Sequence, residues 1–299
     1  MTILARSEGF APFRGYRTWY ESFGESAGDR LPLVLLHGGP GATHQYLEPL
    51  RALADSGRRV IFYDQIGCGR SDRPTDPAFY TVQTFVDELD ALRAHLDLER
   101  VHVLGQSWGG MLAMEYALRK PAGLVSIVVA DSPSSMTLWV SEANRLRADL
   151  PPDVEQTLLL HEKNGTTTDP AYQDAVEVFY KRHVCRLEPW PDCFARTAQA
   201  LTDDGFVYNL MNGPSEFHCI GTLKTWDITA RLHEIRTPTL LLSGRYDEAT
   251  PAIVGTIHDR IPGSEWIVFE QSSHTPHLEE PAAFNAAVRG FLAGVEAPR

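Results

Sequence analysis

Apolar residues occur in this chain as short, nearly continuous blocks that alternate with longer stretches of helical spacing. The blocks lie at residues 33–36, 59–63, 101–104, 124–130, 238–243 and 265–269. Apolar blocks of this length are typical of strands that are buried on both faces of a parallel sheet. The stretches between the blocks, such as residues 81–96, repeat apolar residues every three or four positions and predict helices. The alternation predicts an α/β fold in which a mostly parallel sheet is flanked by helices.

Two regions depart from this alternation. Near the amino terminus, two aromatic runs are separated by the pair Arg14-Gly15, which predicts a hairpin at one edge of the sheet. Residues 134–233 contain no strand-like block and show helical stretches broken by Pro, Gly and Thr clusters. We therefore expect residues 1–133 and 234–299 to form one core, with residues 134–233 inserted after the sixth strand as a helical cap domain.

The third long apolar block runs into a serine between glycines, in the sequence GQSWG at residues 105–109. This G-x-S-x-G pattern is typical of a sharp turn from strand to helix that holds the serine in a strained conformation with its hydroxyl exposed. The helix predicted after Ser107 would place that hydroxyl at a helix N-terminus, which favours developing negative charge. The alternative is a glycine-rich turn with an incidental serine. We predict that Ser107 is a nucleophile.

A serine hydroxyl needs a base within hydrogen-bond reach and a third group that orients this base. Asp247 and His274 each follow one of the last two predicted strands. Because the carboxyl ends of parallel strands share one edge of the sheet, we expect both side chains to meet Ser107 there. The chain order Ser, Asp, His is the order of the α/β-hydrolase arrangement, so the sequence predicts this triad.

Asp247 and His274 each have alternative candidates for their roles. His277 lies three residues after His274 but further from the strand end, where packing or capping is the more plausible role. Asp131 follows another predicted strand, and Glu248 adjoins Asp247. A solvated loop carboxylate is the alternative interpretation for all three acids.

Attack on a carbonyl creates an oxyanion that backbone N–H groups can stabilise. Trp108, directly after the nucleophile, is predicted to supply one N–H group. The second should come from the loop HGGPG at residues 37–41, where Pro40 has no N–H and Gly39 is the natural donor. This loop lacks the Lys-Ser/Thr ending of a phosphate-binding loop and the spacing of a dinucleotide fingerprint.

Composition narrows the function classes. Of the 299 residues, 43% are hydrophobic, which is enough apolar material for a sizeable core. The formal net charge of −12 argues against a nucleic-acid partner. A signal peptide and a membrane span are not indicated, so we expect a cytoplasmic protein with no membrane association. The four cysteines show no C-x-x-C spacing, and we expect no disulfide, no metal and no cofactor. The cysteines are Cys68, Cys185, Cys193 and Cys219.

Five motifs are spread over nearly the whole chain. They are HGGPG at 37–41, DQIGCGRS at 64–71, GQSWGG at 105–110, GRYDEATP at 244–251 and SSHTPHLEEP at 272–281. Together they resemble the proline iminopeptidase (prolyl aminopeptidase) family of α/β-hydrolases, peptidase family S33. The segment at 209–229, NLMNGPSEFHCIGTLKTWDIT, is similar to the cap of the tricorn-associated aminopeptidases of that family.

The resemblance implies a binding site for a free amine. In those relatives, a glutamate of the NGP-x-EF segment and the glutamate after the catalytic aspartate hold the α-ammonium of the substrate. The matching positions here are Glu216 and Glu248. Without the resemblance, Glu216 would be interpreted as a surface charge. Cap aromatics are candidates for a pocket around the first residue, although most such residues simply pack; they are Phe206, Tyr208, Phe217 and Trp226.

The sequence therefore predicts a serine exopeptidase or amino-acid amidase that releases an N-terminal amino acid, proline or another often apolar residue, through an acyl-enzyme. Its substrate would be a small peptide or an amino-acid amide. One alternative is a carboxylesterase or lactonase with the same triad and no requirement for a free amine. Another is a non-catalytic binding protein on a hydrolase scaffold. The preferred first residue and the oligomeric state are left open by the sequence.

Overall fold

The computed structural model describes residues 5–297, which contain one sheet of eight strands. The strands are β1 (Arg6–Phe13), β2 (Tyr16–Phe23), β3 (Leu33–Leu36), β4 (Val60–Tyr63), β5 (Val101–Gln106), β6 (Leu124–Ala130), β7 (Thr239–Gly244) and β8 (Glu265–Phe269). Their order in the sheet is β1-β2-β4-β3-β5-β6-β7-β8. Strand β2 runs antiparallel to β1 and to β4, and the other neighbouring pairs are parallel. This arrangement confirms the predicted fold class.

The hairpin between β1 and β2 turns at the predicted pair of residues. Arg14 has φ 47° and Gly15 has φ 85°, so two consecutive residues adopt positive φ. Two such residues are what a tight two-residue hairpin turn requires, because the twist of that turn matches the twist of the flanking strands. The predicted edge hairpin is therefore confirmed.

Helices connect the parallel strands and cover both faces of the sheet. The α-helices are α1 (Val82–His95), α2 (Trp108–Leu118), α3 (Met136–Arg147), α4 (Pro152–Asn164), α5 (Pro170–His183), α6 (Asp192–Asp203), α7 (Phe206–Met211), α8 (Pro251–His258), α9 (Pro276–Glu279) and α10 (Pro281–Glu296). Four 3₁₀ helices also lie within residues 5–297, at His44–Ser56, Pro77–Phe79, Thr222–Thr225 and Thr229–Glu234. Of the helices in the described part of the chain, none is long and apolar enough to cross a membrane.

The apolar blocks are explained by two hydrophobic clusters, one on each face of the sheet. In β3, Val34 and Leu36 join the cluster under α1 and α2, whereas Leu33 and Leu35 join the cluster under α10. Alternate side chains of a strand point to opposite faces, so a strand covered on both sides must be apolar at every position.

The segment between β6 and β7 holds α3 to α7 and has an apolar cluster of its own. Tyr172 and Phe179 of α5 are fully buried in that cluster and pack with Leu158 of α4. The sequence predicts helical stretches at residues 139–150, 153–163 and 172–184. Helices α3, α4 and α5 lie close to these positions, while α6 and α7 were not predicted. A separate apolar cluster is consistent with a cap at residues 134–233, whose domain boundaries stay a prediction.

Candidate active site

Ser107 lies in the one-residue turn between β5 and α2. Its backbone has φ 57° and ψ −123°, a conformation that costs a non-glycine residue on the order of 1–3 kcal/mol. A Cβ atom on Gly105 would overlap the carbonyl of Gly109, and one on Gly109 would overlap the carbonyl of Leu36. The flanking glycines are therefore required by close backbone contacts, and the turn presents Ser107 at the N-terminus of α2.

His274 and Asp247 are brought together at the carboxyl edge of the sheet. The imidazole Nδ1–H of His274 donates to Asp247 Oδ1 at 2.7 Å, and the same oxygen accepts the N–H of Ala249 at 2.8 Å. Burial by itself would lower the pKa of His274, but the neighbouring Asp247 outweighs it and the pKa is raised above its ordinary value. With Nδ1 bonded to Asp247, the other ring nitrogen, Nε2, is the one available to act as a base.

A short hydrogen-bond relay joins the serine turn to the histidine loop. The side-chain amide of Gln106 donates to the carbonyl of His274 at 2.8 Å, and its Oε1 accepts the Tyr46 hydroxyl at 2.6 Å. The Ser107 hydroxyl itself forms no hydrogen bond with residues 5–297. Catalytic hydrogen bonds often tighten only when substrate binds, so a bond from Ser107 to His274 stays a prediction for the substrate complex.

A second network fixes the HGGPG loop against the start of α2. The indole Nε1–H of Trp108 donates to Gln65 Oε1 at 2.8 Å. Gln65 in turn donates its side-chain amide to the His37 carbonyl and its backbone N–H to His37 Nε2, both at 2.9 Å. Burial lowers the pKa of His37 to about 4, so its ring is neutral and Nε2 can accept. The loop is therefore rigidly placed before any substrate arrives.

Two backbone N–H groups of this region remain available for an oxyanion. The Gly38 N–H is already used, because it donates to the Tyr46 hydroxyl at 2.7 Å. The N–H groups of Gly39 and Trp108 have no acceptor among residues 5–297, and Pro40 has no N–H to offer. Gly39 has φ 110°, which only glycine adopts readily, and a Cβ on Gly38 would lie 3.1 Å from Ser107 Cβ. The loop thus passes directly beside Ser107.

The two glutamates implicated by the resemblance both lie near His274. Glu248 is completely buried, and neither of its carboxylate oxygens has a hydrogen-bond partner within residues 5–297. Its Oε1 is 3.7 Å from His274 Nε2. Glu216, half-buried in the cap, accepts the Tyr208 hydroxyl at 2.6 Å. Burial raises the pKa of both carboxyls, and the charge of Glu216 raises that of Glu248 further.

The rival candidates have other surroundings. His277 lies in α9, where it is buried, and its Nε2 donates to the carbonyl of Tyr46 at 3.1 Å. Burial lowers the pKa of His277 to about 3, so it packs as a neutral ring. Asp131 is buried next to Asp247, and it is Asp247 that bonds the His274 imidazole. Within residues 5–297, no group of three or more His, Cys, Asp or Glu side chains is arranged to hold a metal ion.

Two aromatic residues of the cap were missed by sequence reasoning. The Trp139 indole donates to the Glu216 carbonyl at 2.5 Å, and its ring meets the His274 ring edge-on with centroids 5.9 Å apart. The Tyr180 hydroxyl accepts the Glu216 N–H at 3.3 Å. Both residues occur in amphipathic helices, where an aromatic that faces a site has the same spacing as one that packs.

Comparisons with known proteins agree with this geometry. A family model described as the alpha/beta hydrolase fold matches residues 32–281. The chain is 42% identical to a proline iminopeptidase of Heyndrickxia coagulans over 286 residues, which cover 96% of this chain and 98% of the relative.

Two solved structures match almost the whole chain. The proline iminopeptidase of Mycobacterium smegmatis superposes with a TM-score of 0.91 at 44% identity, and the match covers 97% of this chain and 99% of that one. The structure of VinJ superposes with a TM-score of 0.94 at 48% identity, with the same coverage. The predicted fold and family resemblance are thus confirmed, and the chain belongs to the proline iminopeptidase family of α/β-hydrolases.

Proposed function

We propose that this protein is a serine aminopeptidase that releases the first residue from short peptides or amino-acid amides, with proline as the favoured first residue. The relatives named proline iminopeptidases support proline at that position. The observation that carries the proposal is the carboxyl group of Glu248, buried without a hydrogen-bond partner in the described chain and 3.7 Å from His274 Nε2. A buried carboxylate is costly unless a cation joins it.

The position of Glu248 suits the shape of an amino-terminal residue. By standard backbone dimensions, an α-amino nitrogen lies only about 2.5 Å from the carbonyl carbon of its own residue. A group that binds the ammonium must therefore lie within a few ångströms of the nucleophile and base. Glu248 meets that requirement through its contact with the His274 ring, and Glu216 supplies a second carboxylate from the cap.

In the first half of the reaction, Ser107 Oγ attacks the carbonyl carbon of the first residue while His274 Nε2 accepts the hydroxyl proton. Asp247 holds the Nδ1–H and stabilises the imidazolium that forms. The N–H groups of Gly39 and Trp108 donate to the oxyanion, and removing one such donor typically costs about 3 kcal/mol of barrier. His274 then gives its proton to the leaving amine, and the C–N bond breaks.

The second half removes the acyl group from the enzyme. Water attacks the ester carbonyl of the acyl-enzyme while His274 Nε2 accepts one water proton. The ester bond breaks as the imidazolium returns that proton to Ser107 Oγ, so the free amino acid and the original enzyme are restored. Throughout both halves, the two glutamates hold the ammonium and fix the carbonyl against Ser107.

The same two carboxylates disfavour substrates without a free amine. An acylated or absent amine leaves buried Glu248 and half-buried Glu216 without a cation, and an unpaired buried charge costs about 3–5 kcal/mol. Glu216 and Glu248 therefore weigh against the carboxylesterase or lactonase alternative, which has no use for them.

The test is a panel of anilides that differ only at the amine. Prolyl, alanyl and leucyl anilides are compared with their N-acetyl forms, and alanyl anilide with propionyl anilide, which lacks the amine and adds no bulk. We expect kcat/KM to fall about 100- to 1,000-fold in both comparisons. Ser107→Ala should abolish turnover of every member. Equal rates with alanyl and propionyl anilide would remove the aminopeptidase assignment.

We also propose a cytoplasmic location and no nucleic-acid partner. All four cysteines are free, which suits a reducing compartment. The formal net charge of −12 disfavours contact with phosphate backbones. Fractionation of the source cells with an antibody against the chain tests the location.

A further inference from the structure

Asp131 is a buried acid at the carboxyl end of β6 that the reaction described above does not use. Its N–H donates to the carbonyl of Leu242 in β7 at 2.8 Å, and its φ is 53°. The next residue, Ser132, donates its hydroxyl to the carbonyl of Ser107 at 2.8 Å. Asp131 is therefore fixed between the nucleophile turn and the strand that leads to Asp247.

Three carboxylate oxygens in this place lack a donor. Both oxygens of Asp131 and Oδ2 of Asp247 are buried and accept no well-formed hydrogen bond from the described residues, although the N–H of Gly244 near Asp131 partly favours the ionised form. The two acids follow the neighbouring strands β6 and β7, and Asp247 is the acidic group that acts most strongly on Asp131. Two ionised carboxylates so placed would repel, whereas a single proton turns one of them into a donor for the other.

The acidic groups that face Asp131, Asp247 and Glu279 of α9, favour its protonated form. The Tyr46 phenol nearby is neutral, and His274 lies on the other side of Asp247. Burial, followed by the charge of Asp247, raises the pKa of Asp131 well above its ordinary value. Glu279 already accepts hydrogen bonds from the backbone N–H and hydroxyl of Ser273, at 2.6 and 2.8 Å.

We propose that Asp131 is a protonated positioning residue whose carboxyl O–H donates a hydrogen bond to Asp247 Oδ2. Asp247 is then held from both sides, by His274 and Ala249 at Oδ1 and by Asp131 at Oδ2. The pair of acids carries one negative charge, which matches the single positive charge of the imidazolium that forms during catalysis. This inference rests on the proposed roles of Asp247 and His274.

The hydrogen bond from the Asp131 O–H also affects how strongly Asp247 stabilises the protonated imidazole of His274. A hydrogen bond to Oδ2 disperses the carboxylate charge, so it weakens the attraction for the imidazolium and keeps the pKa of His274 lower than Asp247 alone would. If Asp131 were ionised instead, its charge would raise the pKa of His274. The two states of Asp131 therefore predict opposite shifts when the carboxyl is removed.

The test uses two variants that tolerate the positive φ of this position, Asp131→Asn and Asp131→Gly. Asn keeps an N–H donor without a charge, and Gly removes the donor. Asp97 is exposed and has φ 54°, so Asp97→Asn and Asp97→Gly are matched controls for the backbone conformation. The measurements are the pH profile of kcat/KM, the His274 Nδ1–H proton resonance of the free enzyme, and the infrared band of a protonated carboxyl.

In Asp131→Asn, we expect the acidic limb of the kcat/KM profile and the His274 Nδ1–H resonance to stay at their wild-type positions. Asp131→Gly should lower kcat/KM roughly tenfold and move the acidic limb up by about half a unit or more. The wild-type infrared spectrum should contain a protonated carboxyl band that is lost in Asp131→Asn and kept in both Asp97 variants.

Three results would overturn the inference. They are a downward shift of the acidic limb in Asp131→Asn, an unmoved limb in Asp131→Gly, and an infrared spectrum that is the same in wild type and Asp131→Asn. The infrared and resonance measurements need no substrate, so they judge Asp131 even if the anilide panel contradicts the aminopeptidase proposal.

Discussion

Buried acids occur at both ends of the parallel strands, and the two groups have opposite surroundings. At the amino ends, Glu296 of α10 accepts two hydrogen bonds from Arg58, both at 2.8 Å, and one from the N–H of Leu31 at 2.8 Å. Arg30 and His102 contact the same carboxylate at 3.1 Å. Oε1 of this carboxylate therefore has Arg58, Leu31 and His102 as donors, and Oε2 has Arg58 and Arg30.

At the carboxyl ends of the strands, the buried acids have few hydrogen-bond donors around them. Glu248 has none at either oxygen within residues 5–297, Asp131 has none, and Asp247 has one free oxygen. The difference appears in the pKa values. Burial would raise the pKa of Glu296, but the hydrogen bonds from Arg58 and Leu31 bring it down to about 2, whereas burial raises that of Glu248 well above its ordinary value.

The contrast separates an acid that is paired within the fold from acids that lack partners in the described chain, which we propose to bind or serve a substrate. A carboxyl whose folded pKa is lowered stabilises the protein above its unfolded pKa, and that stability is lost as the pH falls through the folded value. A carboxyl whose folded pKa is raised contributes stability only below its unfolded pKa, and this is lost as the pH rises through the folded value. The two edges of one sheet should therefore respond to pH in opposite directions.

The largest effect is expected from Glu248→Gln. The variant loses the charge that binds the substrate ammonium, so kcat/KM for alanyl anilide should fall about 100- to 1,000-fold, and the preference over propionyl anilide should largely disappear. Because a buried carboxylate without a partner is removed, the free energy of unfolding near pH 8 should rise by about 1–2 kcal/mol. Anilide kinetics and urea unfolding measure the two quantities.

Exposed Glu99 provides the matched control, since Glu99→Gln makes the same chemical change away from the site. It should leave both the kinetics and the stability unchanged. A Glu248→Gln enzyme that still prefers the alanyl over the propionyl substrate would contradict the assigned role of this carboxylate.

Glu296→Gln, at the opposite edge of the sheet, should lower the stability and leave the activity unchanged, the reverse of Glu248→Gln. Arg58, whose side chain is 3% exposed, loses its counter-charge, so the free energy of unfolding at pH 7 should fall by about 2–3 kcal/mol. The difference from wild type should shrink as the pH falls from about 4.5 towards 2, where Glu296 itself becomes protonated. Urea unfolding between pH 7 and pH 3 measures it.

Enzyme activity should distinguish the cluster around Glu296 from the candidate active site. The kcat/KM of folded Glu296→Gln on alanyl anilide should equal that of wild type, because the cluster lies at the edge of the sheet away from Ser107. A loss of activity with unchanged stability would mean that the two edges do not have separate roles.

The same contrast explains what the sequence could predict. The order of strands and helices follows from apolar blocks that must be covered on two faces, as in β3. Ser107, Asp247 and His274 each follow a strand, so the topology places them at one edge. These signals are local, and the resulting expectations about the fold are confirmed.

Contacts between residues far apart in the sequence could not be predicted from local patterns. Trp139 reaches the Glu216 carbonyl across 77 positions, and Arg58 reaches Glu296 across 238. Glu216 carries no sequence signal apart from the family motif, because a carboxylate in a cap loop is usually solvated. Asp131 was considered only as a rival to Asp247, since nothing in the sequence shows that the two carboxyls would share one buried space.

The smallest effect is expected from Glu216→Gln on the pH profile. The charges of Asp247 and then Glu216 raise the pKa of His274, so removing the second charge should lower that pKa. The unprotonated imidazole then persists to lower pH, and the acidic limb of kcat/KM, which reports the free enzyme, should move down by about half a unit. Glu99→Gln should leave the limb in place. An unmoved limb in Glu216→Gln would mean that Glu216 is uncharged in the free enzyme, and it would leave Glu248 as the carboxylate that the site offers to the substrate amine.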